Sequence, residues 1–154
     1  MPEAPASWLD ETEMAAWLAL IGVVVKLPGA LDRQLQRDSG VSHFEYMVLI
    51  GLSEAPGRTL RMSALAEFTD AQLPRLSQVA ARLEGRGLLT RRPDSADGRA
   101  TLATLTAAGL ALVVGAAPGH AAEVRRLVLD RLTRAQLRQL RDIGRRIGLH
   151  PDHR

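Results

Sequence analysis

Arginine dominates the middle of the chain. Between residues 58 and 99 stand Arg58, Arg61, Arg75, Arg82, Arg86, Arg91, Arg92 and Arg99 against Glu67, Asp70, Glu84, Asp94 and Asp97, so this stretch carries the whole net charge of +3 and the rest balances. Guanidinium groups at this density suit a polyanion, because their forked donors match phosphate oxygens and the acceptor edges of bases. Other chemistries lack their residues. The chain has no cysteine, which excludes disulfides, thiolate metal sites and thiol-based redox sensing, and which fits a cytoplasmic protein. His43, His120, His150 and His153 show no metal-ligand spacing. There is no glycine-rich phosphate loop, no nucleophile elbow and no carboxylate pair placed for acid–base work. Neither an enzyme nor a cofactor or metal requirement is expected.

The elements that must position the arginines follow from capping signals and periodicity. Asp10 to Glu13 fits a capping box, so a first helix should begin near Glu11 and be kinked or interrupted at Pro28-Gly29. Its apolar residues Trp17, Leu18, Leu20, Ile21 and Val24 are more than one face can bury within a small chain, which asks for a partner subunit. Ser42 to Glu45 is a second capping box, and its helix should stop at Ala55-Pro56-Gly57. A short extended segment, Thr59 to Arg61, leads to Ser63, the expected N-cap of the next helix. In LPRLSQVAARLEGRG, Leu76, Val79, Ala80 and Leu83 share one face, while Arg75, Ser77, Gln78, Ala81 and Arg82 lie opposite. Gln72 is the expected N-cap, which leaves Pro74 in the first turn where its missing N–H costs nothing.

Two short segments, Leu88 to Arg92 and Thr101 to Leu105, then read as a hairpin with a long polar tip ending in Gly98-Arg99. Thr106 is placed to cap a helix reaching about Pro118, and a further helical stretch is expected from His120 to Leu129. Thr133 to Gln136 is a third capping box; in its helix Leu137, Leu140, Ile143 and Ile147 should face inward.

Helix, helix with a polar outer face, then hairpin is the order of a winged helix-turn-helix, whose second helix enters the major groove. An amphipathic helix with two arginines is by itself only a solvated face. The conjunction of helix pair, hairpin and clustered arginine is what points to nucleic acid. The segments RMSALAEF, RLSQVAARLEGRGLL and RRPDSADGRATLATLTAAG, nearly continuous from Arg61 to Gly109, resemble the MarR family of bacterial transcription regulators. The tightest correspondence is Asp97-Gly98-Arg99 followed by Leu105-Thr106 and Ala108-Gly109, the spacing of that family's Asp-x-Arg wing.

The resemblance implies a mainly α fold with a small β-hairpin: one domain over 1–154, with a winged lobe at about 42–106 and dimerisation helices at about 10–38 and 107–148. It implies a homodimer on an inverted-repeat duplex site, with repression as the expected outcome. Arg99 would enter the minor groove, steadied by a bidentate pair with Asp97. Arg75 and Gln78 would read base edges, while Ser77, Arg82, Ser63 and Arg61 would reach phosphates. A surface pair of Arg82 with Glu84 or Glu123 is an equal alternative. At the helix start many relatives carry a serine or threonine cap where this chain has Gln72, and at position 78 often an arginine, so the family's base preference does not transfer.

The family also implies a small-molecule effector, for which Trp17, His43 and Tyr46 are candidate ligand-binding residues. The opening MPEAPASWLDETE lacks the features of a signal peptide, and the charge-free run Met14 to Val25 is shorter than the ~20 residues that span a bilayer, so no membrane partner is expected. The alternative function is a winged-helix dimer used only for protein contacts, which salt-dependent DNA binding would distinguish.

Overall fold

The computed structural model describes residues 8–148. Helix α1 spans Glu11–Ser39 and opens on the expected capping box: the Asp10 carboxylate accepts from the Glu13 amide at 2.8 Å, and Glu13 reciprocates at 2.9 Å. Pro28 does not interrupt it. A lone internal proline removes one helical hydrogen bond and crowds one carbonyl, and here the turns on both sides carry the helix through. It stops at Gly40, whose φ of 65° lies in the left-handed region that glycine adopts without strain. Helix α2, His43–Glu54, starts at the second capping box, with Ser42 accepting from the Glu45 amide at 3.0 Å.

Strand β1, Thr59–Arg61, passes directly into helix α3, Met62–Phe68, and a turn leads to helix α4, Leu73–Gly85. Strands β2, Leu89–Pro93, and β3, Thr101–Leu105, form the hairpin. The sheet has a third member that the sequence suggested only as an extended segment: β1 pairs antiparallel with β3, giving the order β1-β3-β2. Leu60 stands opposite Ala103, Arg61 opposite Leu102, and Leu89 opposite Leu105. Thr59 and Thr104 add a hydroxyl–hydroxyl bond of 2.9 Å across the pair.

Helix α5, Ala107–Leu127, is capped by Thr106 and runs unbroken through Pro118, where two stretches were expected. Helix α6, Arg134–Ile147, begins at the Thr133 capping box. The main core lies within the lobe, where Leu49, Leu52, Leu65, Leu76, Leu83 and Leu89 are wholly buried between α2, α3, α4 and the sheet. A second cluster, Leu35, Val41, Tyr46 and Ala116, ties α1, α2 and α5 together. Gly109 lets α5 lie close against the lobe, since a Cβ there would overlap the Leu88 carbonyl oxygen.

The outer helices are different. Trp17, Leu18 and Val25 on α1 stand open, and so do Leu140, Ile143 and Ile147 on α6, which were expected to face inward. Among the described residues no element covers that stripe. By length and composition, α1 and the stretch Ala107–Arg131 are also apolar enough to cross a membrane. The charge-free run ends at Lys26, but one lysine does not end the apolar helix.

Candidate nucleic-acid interface

Gln72 is the N-cap of helix α4, as expected from Pro74, and makes no side-chain cap bond. Leu76, Val79, Ala80 and Leu83 are buried, which turns Pro74, Gln78 and Ala81 outward along the middle of the exposed face. Arg75 and Arg82 flank that face on the side of α2. The Arg75 guanidinium lies 4.4 Å from the centre of the Phe44 ring, and the Arg82 Nε is 3.6 Å from Glu45 Oε1. Consecutive residues at the start of α2 therefore hold both arginines.

Arg82 pairs with neither Glu84 nor Glu123, because each of those carboxylates has a closer partner. Glu84 takes the Arg91 backbone amide at 2.7 Å and its guanidinium at 3.0 and 3.1 Å, and Glu123 takes Arg126 at 2.6 Å. The Arg91 amide, and then its side chain, hold the Glu84 carboxyl below its ordinary range. Ser77 sits on the opposite rim of α4, half-buried, and its carbonyl accepts weakly from Arg91 at 3.5 Å. Arg91 and Glu84 thus join α4 to the hairpin.

Ser63 is not the N-cap of α3. Arg61 holds that position with φ −63° and ψ 143°, and no side chain caps this end. The helix starts two residues earlier than a Ser63 cap would place it, directly after the strand, so Ser63 is already helical, exposed beside the start of α4.

The wing tip corrects a second expectation. Asp97 does not grip the Arg99 guanidinium: its Oδ1 accepts the Arg99 backbone N–H at 3.2 Å, and its Oδ2 lies 3.9 Å from Arg61 Nη1. A short aspartate side chain two residues ahead of an amide closes on the backbone more readily than it reaches a long side chain. Among the described residues, Arg99 has no ion-pair partner within 4.0 Å, and it is exposed. Arg61 instead makes a 2.7 Å ion pair with Asp94, a residue the sequence reading passed over. Asp94 is buried, and its Oδ1 accepts the Ala96 amide at 2.9 Å. That amide, followed by the Arg61 guanidinium, holds the Asp94 carboxyl below its usual range against the opposing push of burial.

Between α4 and the wing lies a cleft of about 360 Å³, onto which Arg61, Ser63, Ser77, Arg91, Asp97 and Arg99 open. This cleft unites most of the expected phosphate-contacting residues with the wing arginine.

The three effector candidates do not meet. His43 lines a second cleft, of about 560 Å³, with Pro28, Phe44, Met47 and Arg75. Tyr46 is buried in the smaller core cluster, edge-on to His120 at 5.0 Å. Trp17 stands exposed on the first half of α1 and does not line the cleft. The His43 amide donates to Asp32 at 2.8 Å, and its ring is 6.1 Å from that of His120. Burial lowers both imidazoles, against Asp32 at His43 and with help from His43 at His120. Asp32, His43 and His120 come from three elements, so no local spacing announced them. His150 and His153 lie outside the described residues. Among the described residues no group of three His, Asp or Glu side chains is placed to hold a metal ion.

The chain is similar, at 40% identity and a TM-score of 0.89, to the crystal structure of Sco3205, a MarR family transcriptional regulator from Streptomyces coelicolor in complex with DNA; the match covers 97% of this chain and 95% of that one. The chain belongs to the MarR family. The MarR family model itself matches residues 39–100, which hold α2 through the wing tip. AbsC, a MarR family transcriptional regulator from the same organism, is 35% identical over 93% of this chain and 96% of its own, with a TM-score of 0.87. Among curated proteins, the transcriptional regulator HosA of Escherichia coli O157:H7 is 34% identical over 74 residues, 48% of this chain and 53% of HosA. That match spans about half of the curated relative. The MarR family is one of transcriptional regulators, and the mainly helical winged architecture of this chain is the MarR fold.

Proposed function

We propose that this MarR protein is a sequence-specific, double-stranded-DNA-binding repressor, acting as a homodimer on an inverted repeat. The observation that carries the reading is the unpaired, exposed Arg99 across one cleft from the polar edge of α4. A free guanidinium on a narrow wing suits the negative potential of a minor groove. The outward face of α4 suits the major groove. Gln78, central on that face, offers both a donor and an acceptor to a base edge, and Arg75 flanks it. Ser63, Ser77 and Arg82 would reach phosphates, with Gln72 at the helix start. The similarity to a regulator solved with DNA supports the same reading.

The uncovered apolar faces of α1 and α6 support a second copy as their partner, and two-fold symmetry would match an inverted repeat. A cytoplasmic location follows from the role. The cleft beside His43 and Arg75 is the place for a small-molecule effector, since its occupant would touch a side chain of the recognition helix. Selection of bound fragments from the host genome tests the reading. An enriched inverted repeat is the expected result. Recovery of no preferred duplex, with the protein folded and dimeric, would favour a protein-interaction module.

A further inference from the structure

The wing presents an electrostatic oddity. A tip meant to approach DNA carries two carboxylates, Asp94 and Asp97, whose charge alone opposes a polyanion. The structure gives both an inward task. Each carboxylate spends one oxygen on the tip's own backbone, Asp94 on the Ala96 amide and Asp97 on the Arg99 amide. The other oxygen of each turns to the same guanidinium, with Asp94 Oδ2 at 2.7 Å from Arg61 Nη2 and Asp97 Oδ2 at 3.9 Å from Arg61 Nη1. The hairpin is closed beneath them by Asp94 N–H to the Ala100 carbonyl at 2.8 Å and Ala100 N–H to the Asp97 carbonyl at 2.9 Å. Arg61 is itself fixed at its base: it ends β1 opposite Leu102 and is the N-cap of α3.

We infer that Arg61 is a positioning residue that staples the wing tip to the β1–α3 junction, so that Arg99 is presented to DNA from a fixed site. The two nitrogens of one planar fork address two carboxylates at once. A lysine, with a single point of charge, cannot do both. Arg61 thereby acts on DNA mainly through Arg99, although its charge and position would suggest a plain phosphate contact. The inference rests on the DNA-binding reading above and deepens it.

The two roles differ in the sign of one substitution. Asp94→Asn removes a negative charge from a DNA-facing tip, so bare electrostatics predicts tighter binding, whereas loss of a staple predicts weaker binding. The experiment uses the full-length protein and a duplex recovered by selection, with wild type, Asp94→Asn, Arg61→Gln, Arg61→Lys and Arg99→Ala. It reads both duplex affinity and amide hydrogen exchange at the wing tip without DNA. Asp94→Asn and Arg61→Gln are each expected to weaken binding by about three- to tenfold and to speed exchange at Ala96, Arg99 and Ala100. Arg61→Lys should not restore either readout, and Arg61→Gln should add little to Arg99→Ala.

Tighter binding by Asp94→Asn with unchanged exchange would overturn the inference, and so would full additivity of Arg61→Gln with Arg99→Ala. Should Asp94→Asn melt before the measurement, Arg61→Gln decides alone, since the Arg61 side chain is half exposed and leaves no cavity. If wild type bound no duplex, the DNA-binding reading would fail and take the functional half of this inference with it. The exchange data would still show whether Arg61 holds the tip.

Discussion

The winged lobe and the outer helices treat the same kinds of side chain in opposite ways. In the lobe, leucines at helical spacing from α2, α3 and α4 close on one another and on the sheet until no surface remains. On α1 and α6, equally regular apolar residues look into solvent, Ile143 at 54% and Trp17 at 49% exposure. Periodicity is present in both regions, but among the described residues only the lobe supplies its own opposing surface. The lobe buries its own apolar faces, and the outer helices leave theirs exposed, which supports the proposal that a second copy covers them.

That contrast breaks most sharply at α6. Replacing both Leu140 and Ile143 by arginine should convert the dimer to monomer in light scattering and weaken operator binding by about 10²-fold or more, since two linked half-sites bind far better than one. An unchanged mass would mean that the exposed stripe is not the partner surface. In the lobe, Leu76→Ala should cost ~2–5 kcal/mol in denaturant unfolding, because the wholly buried leucine leaves a cavity. A change below about 0.5 kcal/mol, the level of a surface substitution, would contradict the packing described here.

Gly109→Ala sharpens the boundary between the regions. The added methyl meets the Leu88 carbonyl and the Leu105 side chain, so a loss of ~1–3 kcal/mol is expected from overpacking. A neutral outcome would show that α5 is free to shift away from the lobe. The smallest effect should come from protons where α1, α2 and α5 meet. His43 and His120 both have lowered values in the folded chain, so the unfolded chain binds protons first as pH falls. Their contribution is therefore present above the ordinary histidine value near 6.5 and is lost as pH drops below it toward the lowered folded values. Melting temperatures from pH 8 to 5.5 should fall in that window, and His43→Gln with His120→Gln should flatten the fall.

Much of this was legible in the residues. Three capping boxes announced where α1, α2 and α6 begin, and the spacing of Leu76, Val79, Ala80 and Leu83 fixed the buried side of α4. What failed was what depends on distant partners. Pro118 read as a break, and Pro28 as a kink or a break, because local rules see the lost bond and not the helices packed alongside; neither proline interrupts its helix. Ser63 read as a cap because serine favours that position, while β-pairing carried the strand up to Arg61 and left the serine inside the helix. The pairing of Asp97 with Arg99 was what the resemblance to an Asp-x-Arg wing implied. Arg61, far away in the chain, reached the carboxylates through the sheet order β1-β3-β2.

The claim that the hairpin is a DNA-reading wing is tested most directly by Arg99→Ala. Its affinity should be measured on a selected duplex and on random duplex across several salt concentrations, with the fold checked by thermal melting. Binding to both duplexes should weaken, the salt slope should flatten by about one for each wing, and the operator preference should survive. Unchanged affinities and an unchanged slope in a folded protein would contradict that claim.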